Sequence, residues 1–395
     1  MDLSLNGSGG YDSNPFGEEN GTAEGVFGLL AVGSVMDTLE SGSYRVGYSP
    51  NFLAYTDSPK SNQVYHAADV SANYILTRRT TIFLQDSFGY IKNIQRDSQS
   101  NSLNDQGNDA LLRNSASLSV VHQFTQRLSN NTTGFWEVND YVSGDQQGNS
   151  YVAAQSSVDY QLSLPLSVGV GGTVGYRSFD PTRPASNSCN PNAKRPGSSS
   201  LNYSGFLTAS YVWDPTTSFS VSAGPAQIDS RNFALVPTNP CPSNPSTFDF
   251  FYERQERSRL TWFAAASASK SWKNIAANAS YRRSEGVGGS GSGASINDSV
   301  NLGVSWKFGR LWSANAGGGW LRRQSSGIGG NQTQNLTTWR ANATIARQLT
   351  QWSTVSVSGS YIDQETSGGS GGATTSYDAI RVDAAFTYRF DPWHF

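Results

Sequence analysis

The chain has no long apolar run. No stretch of its 395 residues approaches the roughly 18 consecutive apolar residues that a membrane-spanning helix needs, so a helical membrane protein is excluded. Charge is also scarce: Asp, Glu, Lys and Arg make up 15% of the residues, against roughly 25% in an ordinary soluble domain. With a formal net charge of -2, bulk electrostatics favours neither nucleic acid nor an anionic surface as a partner. The histidines are only His66, His122 and His394, in no metal-ligand spacing, and no HExxH or nucleophile-elbow pattern occurs. No catalytic residue, metal or cofactor is therefore expected. An export signal is missing as well. Met1 leads straight into a strand-like segment, which reads as a mature chain with an added start Met.

What is abundant is aromatic residues, at 12%, and glycine, at 40 residues. A polar, Gly/Ser-rich chain with few aromatics would be disordered; this one carries its aromatics in regular order. From Leu166 to Arg177, the residues Leu166, Val168, Val170, Val174 and Tyr176 alternate with Ser167, Gly169, Thr173, Gly175 and Arg177. Ile380 to Phe390 and Val300 to Phe308 alternate in the same way. A helix would scramble these sets, whereas a strand puts each on one face.

This period-2 pattern predicts eighteen strands. The first nine begin near Leu3, Gly25, Ser43, Ala67, Thr80, Leu112, Leu128, Tyr151 and Leu166. The second nine begin near Leu201, Thr217, Arg257, Asn274, Asn297, Leu311, Thr337, Ser353 and Ala379. Their connections alternate between tight turns, such as 77–79, 125–127 and 164–165, and long polar loops, notably 94–111, 179–200, 230–256, 285–296, 324–336 and 364–378. Bacterial outer-membrane barrels have this asymmetry, with short periplasmic turns and long extracellular loops. The fold class expected is all-β: a single transmembrane antiparallel barrel over residues 1–395. An open edge in hydrocarbon would leave backbone groups unpaired at several kcal/mol each, so the sheet must close.

Aromatics are expected in two interfacial belts. Phe124, Trp213, Phe219, Trp272, Trp306, Phe308, Trp312, Trp352 and Phe390 lie near the short turns; Trp136, Tyr151, Tyr176, Tyr203, Tyr281, Trp320, Trp339 and Tyr361 lie toward the long loops.

Parity assigns the lumen. Arg45, Arg177, Arg259, Arg282, Lys307, Arg340, Arg381 and Arg389 are read as pore-lining, with the acids Asp2, Glu137, Asp159 and Asp383. The basic residues concentrate in the second half, giving one wall a positive stripe suited to anionic solutes. Phe27, Leu29, Phe83, Phe206 and Phe263 are read as inward constrictions. Cys189 and Cys241 sit in consecutive long loops; a disulfide is expected in an oxidising compartment, two free thiols being the alternative. Glycine-rich 288–295 and 367–376 read as flexible loops rather than phosphate cradles, and the loop acids at 12, 18, 19, 105 and 109 as a solvated face rather than a calcium site.

Two motifs carry a resemblance. Phe386, Tyr388 and Phe390, with the C-terminal Phe395, resemble the signal by which the barrel-assembly machinery recognises outer-membrane proteins. Gly9 to Phe16, GGYDSNPF, resembles a motif of barrel porins associated with exopolysaccharide gene clusters. The resemblance implies a bacterial outer-membrane location among lipid and lipopolysaccharide. It also implies a pore for hydrophilic solutes or a secreted polysaccharide, possession of a plugged lumen and a docking role being the alternative.

Overall fold

In a computed structural model, the backbone described covers residues 2–15, 22–58, 62–91, 110–142, 148–181, 196–241, 244–287, 294–326, 333–367 and 375–391; within 234–251 and at a few strand ends only the backbone is described. Eighteen strands form one sheet. They are β1 (Asp2–Asp12), β2 (Glu24–Leu39), β3 (Gly42–Tyr55), β4 (Gln63–Thr77), β5 (Thr80–Ile91), β6 (Leu111–Gln123), β7 (Leu128–Tyr141), β8 (Asn149–Gln161) and β9 (Leu166–Phe179). Then follow β10 (Ser199–Asp214), β11 (Thr217–Cys241), β12 (Asn244–Ser271), β13 (Ile275–Val287), β14 (Ala294–Phe308), β15 (Trp312–Ser326), β16 (Thr333–Gln348), β17 (Ser353–Ser367) and β18 (Thr375–Arg389). Each strand pairs antiparallel with its sequence neighbours, and β1 pairs with β18 from Ser4–Arg389 to Asp12–Arg381, closing the barrel.

The GGYDSNPF segment acts at this closure. Ser13 N–H donates to the Ile380 carbonyl at 2.9 Å, and Ile380 N–H returns a bond to Ser13 Oγ at 2.8 Å. Asn14 N–H donates to Asp12 Oδ1 at 3.0 Å, and its side-chain amide reaches the Asp378 carbonyl at 3.4 Å. A Cβ on Gly10 would overlap the Val382 carbonyl oxygen, so glycine lets the first and last strands approach. In the structure the described part of the motif is thus a stitch between chain ends.

The turns are held by short polar side chains. Thr125 Oγ1 accepts from the N–H of Arg127 at 3.2 Å and of Leu128 at 3.0 Å; Thr350 Oγ1 does the same for Trp352 and Ser353 at 3.1 and 3.0 Å. Asp214 Oδ1 accepts from Thr216 N–H at 2.7 Å. Such hydroxyl and carboxylate caps mimic a backbone turn and tighten it. Gly309, with φ at 75°, supplies the left-handed residue between β14 and β15.

The outer wall is apolar and exposed. Leu302, Val304 and Trp306 of β14 share a face with Gly318, Ala316 and Ala314 of β15. At the turn end, Trp306, Phe308 and Trp312 form a continuous aromatic stack with ring centroids 4.7 and 6.0 Å apart. At the loop end, Trp320 and Trp339 meet at 6.2 Å beside a polar girdle. There Arg283 holds Asp298 with both carboxylate oxygens at 2.8–2.9 Å, Tyr281 donates to the same carboxylate at 2.9 Å, and the guanidinium lies 4.5 Å over Trp262. An apolar band between two amphipathic belts is what a bilayer requires of a closed sheet. The protein is a bacterial outer-membrane β-barrel.

Four expectations change. Asp12, read as part of a solvated loop face, is the last residue of β1 and is fully buried. The segment 230–256, read as a polar loop, is mostly strand: β11 and β12 pair from Thr217–Lys270 out to Cys241–Asn244, so β12 begins at Asn244 rather than near Arg257. β16 and β18 likewise start earlier, at Thr333 and Thr375. Beyond the bilayer both faces of a strand are wet, and the alternation that marks it disappears. Phe27 and Leu29 face out, not in: they pair with Gly9 and Gly7, in the row containing Phe52, Phe386 and Val382. Tyr151 does the opposite, leaving the outer belt for the lumen, where Arg177 lies 4.3 Å over its ring.

One corner breaks the circular wall. Ser204–Ala226 and Leu207–Ala223 are paired, but the residues between them are not. Pro225 has no N–H to donate there, and Gly224 lies so close to the Gly205 carbonyl that any Cβ would overlap it. Phe206 fills the inside of this bend, 5% exposed, with its ring 5.7 Å from Phe263 two strands away. Gly171 makes room for it: a Cβ there would come within 2.6 Å of the Phe206 ring.

Candidate functional site: the lumen

The inner face is built from hydroxyls, amides and charges. Ser218–Ser269, Ser220–Ser267 and Ser87–Ser115 form hydroxyl pairs at 2.6–2.7 Å, and Asn6 donates to Thr387 at 2.6 Å. Such cross-strand pairs satisfy polar side chains while leaving a hydrated wall.

The register turns each charge assigned by parity toward the lumen. Arg45 and Arg381 line one cavity of about 800 Å³ with Tyr55, Tyr65 and Asp69. Arg177, Arg282 and Glu137 line a second, of about 440 Å³, on the opposite side. Arg113 borders both, in an ion pair with Glu137 at 3.5 Å. Asp383 is bonded by Arg381 Nε at 2.7 Å, so these two charges are locally neutralised. Asp159 accepts from Thr208 Oγ1 at 3.0 Å. Asp2, Lys307 and Arg389 lie toward the turn end, on the inner rows with Ser34, Ser313 and Ser4. Arg259 shares the inner face with Ile228, and Arg340 with Gly319 and Ile362. Phe83 also faces in, between Asn73 and Ser119.

The lumen is not uniform along its axis. At the loop end the inward residues are buried: Asp12, Glu24, Val26, Gln63, Leu111, Asn139, Asn149, Leu336, Thr338 and Gln364 are all nearly inaccessible. Toward the turn end, inward Asn73, Asn301 and Lys307 are exposed. Among the described residues, the inner wall is therefore closely packed at the loop end and open to solvent at the turn end.

The tightest polar cluster lies in the 440 Å³ cavity. Arg177, 8% exposed, donates through Nη1 to Asn149 Oδ1 at 2.8 Å and stacks on Tyr151. Glu285 of β13 accepts from Ser200 Oγ of β10 at 3.0 Å and from the Asn202 side-chain amide. Asn202 and Tyr151 both reach across Gly175, where a Cβ would lie 2.6 Å from the Tyr151 hydroxyl and would overlap the Asn202 oxygen. The sequence reading missed Arg113, Tyr151, Asn202 and Glu285. For Glu285 no local signal exists, because its partners are 83 and 85 residues away.

Phe386, Tyr388 and Phe390 stand on the outer face near the turn end, Tyr388 and Phe390 in edge contact at 5.0 Å. Phe395 and Cys189 lie outside the described residues, and of Cys241 only the backbone is described, so the expected disulfide does too. Among the described residues, no cluster of His, Cys, Asp and Glu could hold a metal.

No protein-family model matches the chain, and no curated protein matches it in sequence. Among solved structures, the chain resembles the ferric-catecholate import receptor Fiu of E. coli K12 in its closed form, with a TM-score of 0.50 at 8% identity, over 98% of this chain and 82% of that one. It also resembles OpdK of Pseudomonas aeruginosa, solved with vanillate, with a TM-score of 0.43 at 9% identity over 98% of each chain. At such identities the likeness to Fiu is one of fold: a closed outer-membrane barrel.

Proposed function

We propose that the barrel is a pore that passes hydrophilic solutes across the outer membrane, with a basic inner wall that favours anions. The observation that carries this reading is the polar lumen itself, where Arg45, Arg177 and Arg282 line the two cavities in addition to the ion-paired Arg113 and Arg381. Rings of one sign of charge in a narrow aqueous path select the opposite sign. The reading needs no covalent chemistry. A secreted exopolysaccharide is the polymeric form of such a solute, a reading that the GGYDSNPF resemblance supports. The proposal assigns membrane insertion to the barrel-assembly machinery through Phe386, Tyr388 and Phe390, with lipopolysaccharide against the outer wall.

Single-channel conductance of the purified protein in a planar bilayer, with reversal potential under a salt gradient, tests it. Steady conductance with anion preference is expected. Removing Arg45, Arg177 and Arg282 together should weaken that preference. A folded barrel that stays silent would refute the pore. It would favour the second reading, a docking barrel with a plugged lumen, which the ring of buried side chains at the extracellular mouth supports.

A further inference from the structure

We propose that the lumen holds a carboxylate-binding site at Arg177, Ser200 and Asn202, occupied by the chain's own Glu285 until an anionic solute displaces it. The proposal rests on the reading of the barrel as a solute path and names the solute class: a small carboxylic acid of about monosaccharide size.

The position of Glu285 is the first observation. Alternation along β13 puts Glu285 on the same face as Arg283, which lies on the outer wall over Trp262. Yet its carboxylate is bonded to Ser200 and Asn202, which line the inner side of β10, three strands away. The ladder explains how. β12 and β13 are paired only from Ser271–Ala276 to Ala264–Arg283, whereas β13 stays paired to β14 up to Val287–Ala294. Above Arg283 the tip of β13 is thus free of β12 and turns its outer face toward the inside of β10.

The second observation is that the donors exceed what Glu285 uses. Arg177 is buried, and its Nε has no hydrogen-bond partner among the described residues. Arg282 lines the same cavity. A buried guanidinium with an unused donor is costly, and a carboxylate is its best-matched partner. The cavity, about 440 Å³, lies within the usual range of ligand sites and is edged by the Phe135 and Phe263 rings. Exchanging one carboxylate for another at Ser200 and Asn202 preserves their hydrogen bonds, while the displaced Glu285 side chain regains water. A solute would then bind with an affinity reduced by the fraction of time that Glu285 holds the site.

The test is isothermal calorimetry of glucuronate on the detergent-folded barrel, with glucose as the neutral control. Glucuronate should bind and glucose should not. Glu285→Gln should tighten glucuronate binding by about tenfold, and Arg177→Gln should weaken it by about tenfold. Asp69→Asn removes an acid from the other cavity; it should change the affinity by less than about twofold. If Glu285→Gln leaves the affinity unchanged, or if both acid variants tighten it equally, the occupied site is refuted. Equal binding of glucose would refute it too. Retained heat-modifiable gel mobility shows that each variant is folded. Calorimetry reads the site whether or not the barrel conducts, so a silent bilayer sinks only the pore and absent binding sinks only the site.

Discussion

Replacing Leu302 by Arg puts a charge on the lipid-facing wall, and replacing the adjacent Asn301 by Arg puts the same charge into the lumen. Leu302 lies on the outer face, 57% exposed, paired with Ala279 and Gly318, midway along β14 between Trp306 and Asp298. Those residues mark the two interfaces, so Leu302 sits near the bilayer midplane. An Arg there costs about 2–4 kcal/mol, and near an interface only about 0–1 kcal/mol. The folding equilibrium in vesicles should therefore shift by roughly thirty- to a thousandfold for Leu302→Arg. Asn301 pairs with Ser280 and Gly319 on the inner face, where water solvates an added guanidinium; Asn301→Arg should cost less than about 1 kcal/mol. Urea titration of the vesicle-embedded barrel, followed by tryptophan fluorescence, measures both. Equal destabilisation by the two variants would refute the assignment of faces and with it the inward placement of every charge that follows from the register.

Three further outcomes follow from the packing. Phe206→Ala should destabilise the barrel by about 3–5 kcal/mol, because the ring fills the bend at Gly224 and Pro225; an unchanged urea midpoint would show that the corner does not depend on it. Gly175→Val should cost about 1–3 kcal/mol and abolish glucuronate binding, since its side chain takes the space of Tyr151 and Asn202; calorimetry that still detects binding would contradict the site's geometry. Replacing Phe386, Tyr388 and Phe390 together by Ala should lower the amount of barrel inserted in the outer membrane, measured by membrane fractionation, while the purified variant still refolds in detergent. Normal insertion would remove these three aromatics from the assembly signal.

The barrel was legible in the sequence because lipid and water impose opposite demands on alternate residues. Where each face of a strand meets a different solvent, as in β9, β14 and β18, the period-2 pattern alone identifies the strand and its inward side. In β2 the run Glu24–Leu39 is apolar on both faces, with Val26 and Leu30 inward and Phe27 and Leu29 outward, so parity had nothing to follow. In the outer parts of β11 and β12 apolar residues such as Phe233, Leu235, Phe250 and Phe251 and polar ones such as Asn232, Glu253 and Arg254 fall on both faces alike, and the strands read as loop.

The sequence by itself determined the number of strands, the closure and the location in the outer membrane, all of which follow from local alternation. Only the tertiary structure decided which charges are neutralised, as Arg381 is by Asp383, and where the wall bends. It also decided that Glu285 sits against Ser200 and Asn202. Those features depend on contacts between strands that are remote in the chain, and no periodicity within one strand encodes which residue of another it will meet.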